Sequence, residues 1–120
     1  MEPKGTLKTE KGRLHWIWIL LALSICLLLP ALALSETAIA DFTKSIEANP
    51  NDAGAYRDRG RAYYNAGNYV EAIADYTKAI QLSPDTALYY ENRAGTYEAM
   101  ANHDAAAADL EKAQELRGNQ

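Results

Sequence analysis

The chain is poor in the residues that carry out chemistry. Its 120 residues include one cysteine, Cys26, and two histidines, His15 and His103, on opposite sides of a long apolar segment. A single thiol forms no internal disulfide, and so sparse a set cannot assemble a Cys/His metal site. Carboxylates such as Asp58 and Glu91 have no glycine-rich loop or nucleophile beside them, and His103-Asp104 reads as a turn histidine next to a helix-capping acid. Neither an enzyme nor a cofactor or metal protein is expected, and no catalytic residue is assigned. Cations are also short, 12 Lys and Arg against 16 Asp and Glu. Phosphate backbones are bound by clustered Lys and Arg, so nucleic acid is not an expected partner. No segment alternates polar and apolar residues as a strand does.

Apolar residues are plentiful, at 48%, but unevenly spread. From Trp16 to Leu34 run nineteen residues in which only Ser24 and Pro30 fall outside the strongly apolar classes. Ahead of them stand Lys4, Lys8, Lys11 and Arg13 against Glu2 and Glu10, whereas the rest of the chain holds eight bases against fourteen acids. A basic flank, an apolar core over Trp16–Leu29 and the small-x-small sequence Ala31-Leu32-Ala33 have the layout of a secretory signal, cut before Leu34. Pro30, lacking an amide donor, is expected to end the helix. An uncleaved anchor is the competing reading. Nineteen residues at a rise of ~1.5 Å reach about 28 Å, close to a hydrocarbon core of ~30 Å. Trp16 and Trp18 would suit the headgroup boundary. A third reading attaches lipid to Cys26, but Leu23-Ser24-Ile25-Cys26 has bulky Ile25 where a small residue belongs. In the first two readings the acidic body is exported across the cytoplasmic membrane. It is periplasmic or secreted if cut, and single-pass and held only through residues 16–34 if not.

Beyond this segment the sequence repeats. Ala38-Ile39-Ala40-Asp41-Phe42-Thr43-Lys44 aligns with Ala72-Ile73-Ala74-Asp75-Tyr76-Thr77-Lys78 at an offset of 34, and a further 34 reaches Ala106-Ala107-Ala108-Asp109-Leu110-Glu111-Lys112. Tyr56-Arg57-Asp58-Arg59-Gly60-Arg61-Ala62-Tyr63 aligns at the same offset with Tyr90-Glu91-Asn92-Arg93-Ala94-Gly95-Thr96-Tyr97. Tyr56, Gly60 and Tyr63 recur at i, i+4, i+7 in residues 53–66, as do Ala72, Tyr76 and Ala79 in residues 69–82, so each full copy is two helices. Gly67-Asn68 separates them, Asn51-Asp52 and Asp85 stand where N-cap acceptors belong, and Pro50 and Pro84 follow helix ends.

These residues resemble the tetratricopeptide repeat family over roughly residues 35–120. Tyr56, Gly60, Tyr63, Gly67, Tyr69, Ala72, Tyr76, Ala79 and Pro84 fill its pattern, whereas in the last copy Ala101 and His103 replace the turn glycine and aromatic. The resemblance implies an all-α fold: a short right-handed solenoid of antiparallel helix hairpins, about two and a half repeats. Residues 1–33 form the signal or anchor, 35–50 a half repeat with only its second helix, and 53–86 and 87–120 two full repeats. It further implies a non-enzymatic interaction module that docks a partner peptide in a groove lined by the first helices. The candidate groove residues are Arg57, Arg61, Tyr64, Asn65 and Asn92. Some family members clamp a peptide carboxylate. Asn92 matches one Asn of that pattern, Arg57 and Arg61 stand where its first Lys and Asn would, and its last basic pair belongs to a repeat beyond these. Arg59 and Arg93 each follow an aspartate by 18 residues, which gives structural pairs Asp41–Arg59 and Asp75–Arg93 and leaves Asp109 alone. The alternative function is self-association as a homo-oligomer through the last helix, around Leu110, Ala113 and Leu116.

Overall fold

The computed structural model describes residues 6–120, so Glu2 and Lys4 of the basic flank lie outside the described residues. Five helices are found among them: α1 (Thr6–Ala48), α2 (Ala53–Asn65), α3 (Tyr69–Leu82), α4 (Ala87–Ala99) and α5 (His103–Gly118). The chain divides into two units between Leu34 and Ser35.

Within the first unit lies an apolar helical stretch with an 18-residue window of mean hydropathy 2.7, none of it buried. Pro30 does not end the helix, as its sequence led us to expect, but stands inside α1. Proline removes one intrahelical hydrogen bond and clashes with the preceding turn, a cost of about 3 kcal/mol. Apolar spanning helices tolerate it where neighbouring groups satisfy the freed carbonyl.

The second unit takes its shape from small residues. Its core is mostly alanine: Ala55, Ala62, Ala72, Ala79, Ala94, Ala106 and Ala113 are all buried, with Tyr76 and Ile46. Alanine favours helix and lets helix axes approach closely, so two short helices pack along their length. α2 packs on α3, α3 on α4, and α4 on α5. Each hairpin closes at one residue with positive φ, Gly67 at +81° and Ala101 at +57°. Asp52 caps α2 by accepting a bond of 3.2 Å from the Ala55 amide. Asp85 does not cap α4; Thr86 holds that position, without a side-chain bond.

Candidate functional site

Two arginines fasten the repeats. Arg59 Nε donates to Asp75 Oδ2 at 2.7 Å and its Nη2 to Oδ1 at 2.8 Å, while Nη1 reaches Thr43 Oγ1 at 3.2 Å. Its guanidinium lies between Tyr56 and Tyr63, 5.8 Å from each ring. Arg93 repeats this with Asp109 at 2.8 and 2.7 Å, Thr77 at 3.0 Å, and the rings of Tyr90 and Tyr97. The bonds to Asp75 and Asp109 raise both guanidinium pKa values, against the opposing effect of burial. A forked, half-buried pair of this kind is stronger than an exposed one.

The expected pairs Asp41–Arg59 and Asp75–Arg93 are therefore corrected. Asp75 binds Arg59, Asp109 binds Arg93 and is not alone, and Asp41 is exposed. The reason is hairpin geometry. Arg59 and Asp75 stand equally far before and after Gly67, and Arg93 and Asp109 equally far from Ala101, so folding about each turn brings the two together. The signal was in the sequence, as symmetry about the turn rather than a shared offset between copies.

The candidate binding residues divide. Arg61, Tyr64 and Asn65 of α2, with Asn92 of α4, line one hollow of about 310 Å³, together with Tyr76, Glu91 and Gly95. Arg57 is not among them; its Nη2 and Nε hold Asp58 Oδ1 at 2.6 and 2.9 Å. Arg57 and Arg61, four residues apart, share a face of α2, but the Arg57 guanidinium is turned aside by its pairing with Asp58. Arg61 has no anionic partner among the described residues, whereas Glu91 is already held by Arg117 at 2.7 Å. The hollow thus offers one free cation, two amides and two phenols.

Tyr76 is only 2% exposed. No buried polar side-chain atom lacks a partner among the described residues, and Tyr76 makes no side-chain bond, so its hydroxyl opens into the hollow. Burial pushes its pKa up to about 12, against the lowering effect of Arg61. The ring fits because Gly60 has no side chain: a Cβ there would lie 2.8 Å from Tyr76 Cε1. Tyr64 leans on Tyr69, ring centres 5.3 Å apart. On α5, Leu110 is 43% exposed but Ala113 is buried in the chain's own core, so the apolar patch expected there is broken.

Two family models, each for the tetratricopeptide repeat, match residues 53–86 and 87–120, together more than half of the chain. The chain belongs to the tetratricopeptide repeat family. It is thereby a protein-interaction module, and neither matching family is catalytic. No curated protein sequence matches it. Among solved structures it is similar to MamA from Desulfovibrio magneticus RS-1, 27% identical with a TM-score of 0.70 over 72% of this chain and 49% of that one. AMB-1 MamA is 30% identical with a TM-score of 0.68 over 72% and 51%. The chain spans about half the length of the MamA structures it matches. It is also similar to the second tetratricopeptide domain of Spaghetti (RPAP3) bound to an HSP90 peptide, SRMEEVD, 28% identical with a TM-score of 0.65 over 68% and 76%.

Proposed function

We propose that this repeat protein docks an acidic peptide segment of a partner in the hollow between α2, α3 and α4. The observation that carries this reading is Arg61, a cation without an anion, among Asn65, Asn92 and the hydroxyl of Tyr76. A guanidinium takes a peptide carboxylate in a fork, amides bond the extended backbone, and Tyr64 offers a face for an apolar side chain. The RPAP3 domain binds an acidic heptapeptide, which makes SRMEEVD a natural probe. Titration of that peptide, followed by fluorescence polarisation, should give saturable binding. Arg61→Ala should weaken it about tenfold or more, the scale of one charge-assisted bond of ~1.5–3 kcal/mol. Arg57→Ala should change it little; an equal loss from both variants would count against this hollow.

The apolar segment supports placing the repeats in the cell envelope, delivered or held by residues 16–34. The intact mass of chain recovered from the envelope then distinguishes a start at Leu34 from one at Met1. Recovery from the cytosol alone contradicts the placement. The second reading, self-association through α5, has one supporting observation, the exposed Leu110. A monomer by sedimentation across the micromolar range removes it.

A further inference from the structure

The three copies of the second helix are not equally covered. In the later copies Ala72, Asp75, Ala79, Ala106, Asp109 and Ala113 are all buried. Their counterparts one period earlier are Ala38, Asp41 and Ser45, of which Ala38 is half-buried and Asp41 and Ser45 are exposed. The Asp41 carboxylate forms no ion pair among the described residues, although both later aspartates are forked by an arginine. Phe42, half-buried where Tyr76 is closed off, borders a hollow of about 270 Å³ with Ser45, Asp52, Gly54, Ala55 and Asp58. Phe42 and Asp58 stand one period before Tyr76 and Asn92. This hollow is thus the counterpart of the one lined by Arg61, short of its first helix. The chain does not supply that helix's arginine: one period before Tyr56, Arg59 and Tyr63 stand Ala22, Ile25 and Leu29.

We propose that this face of α1 docks an amphipathic helix of a partner protein carrying aromatic-x-x-Arg-small-x-x-aromatic, with the arginine forked on Asp41. The chain solves the same problem twice internally, which specifies the occupant. Arg59 lies between Tyr56 and Tyr63 and is followed by Gly60; Arg93 lies between Tyr90 and Tyr97 and is followed by Ala94. The arginine answers the acid, the flanking rings cover its stem, and the small residue admits the aromatic beneath, here Phe42. An exposed anion beside an aromatic and small residues is complementary to that pattern and to no acidic segment. The proposal does not depend on the Arg61 hollow.

The probe is a synthetic peptide of residues 53–66, stapled as a helix across positions 61 and 65, which removes Arg61 and Asn65 from it. Titrated into the full chain in a non-ionic detergent, it should bind saturably. Asp41→Asn in the chain should weaken binding about tenfold, Arg59→Leu in the peptide should do the same, and the two together should lose little more than either alone. Absence of binding at about 1 mM peptide, or binding that ignores Asp41→Asn, overturns the proposal. So does binding that is lost in Arg61→Ala but kept in Asp41→Asn, which would seat the helix in the other hollow. Loss of binding to SRMEEVD with the stapled helix still bound would sink the groove reading alone.

Discussion

At the scale of single residues, the site rests on a pair of complementary sizes. Tyr76 closes the floor of the hollow only because Gly60 on the facing helix leaves room for its ring, with a notional Cβ 2.8 Å from it. Alanine is normally the better helix former by about 1 kcal/mol, so an exposed glycine at that place would be improved by Gly60→Ala. Here the added methyl must push a 2%-exposed ring out of an alanine-lined core, and overpacking of that kind costs about 1–3 kcal/mol. The two terms oppose and the second is larger. Gly60→Ala should therefore destabilise by up to about 2 kcal/mol in urea denaturation, and it should shift the Tyr76 hydroxyl and weaken peptide binding with it. A more stable variant would show that the ring is free to move aside.

At the scale of elements, the two hairpins turn at equivalent positions with different residues. Gly67 and Ala101 hold equivalent positions, and both take positive φ, at +81° and +57°. An alanine in that region carries a steric penalty of about 1–2 kcal/mol, while glycine loses about 0.5–1 kcal/mol more in backbone entropy on folding. Ala101→Gly should stabilise the α4–α5 hairpin by about 0.5–1 kcal/mol, seen as slower hydrogen exchange in α5; unchanged exchange would mean that the turn is not limiting. The helices and both repeats were legible because Tyr, Gly and Ala recur at helical spacing within a fixed period. The partners of Arg59 and Arg93 were misread because an offset between copies was compared, when the contact that forms is within a hairpin and follows distance from the turn. Arg61, Tyr64, Asn65 and Asn92 were assigned to the groove by resemblance to the repeat family, and they line one hollow. That Arg57 is taken by its neighbour Asp58, and that buried Tyr76 borders the hollow, depended on side-chain directions which spacing does not encode.

At the scale of the whole molecule, the scarcity of reactive residues takes on a positive meaning. Arginine does here what cysteine, histidine or a metal does elsewhere: Arg59 and Arg93 lock the repeats, Arg117 neutralises Glu91, and Arg61 is left unengaged in the hollow. An acidic chain that keeps one guanidinium free among amides and phenols is suited to select a carboxylate against its own overall charge. Such an interaction weakens with salt where it is exposed to solvent. The most direct measurement is chemical-shift mapping of the acidic heptapeptide on the isotope-labelled chain. The account predicts shifts that saturate together at Arg61, Tyr64, Asn65, Asn92 and Gly95, with the α5 surface around Leu110 unmoved. Shifts confined to α5, or to Arg57 and Asp58, would contradict it.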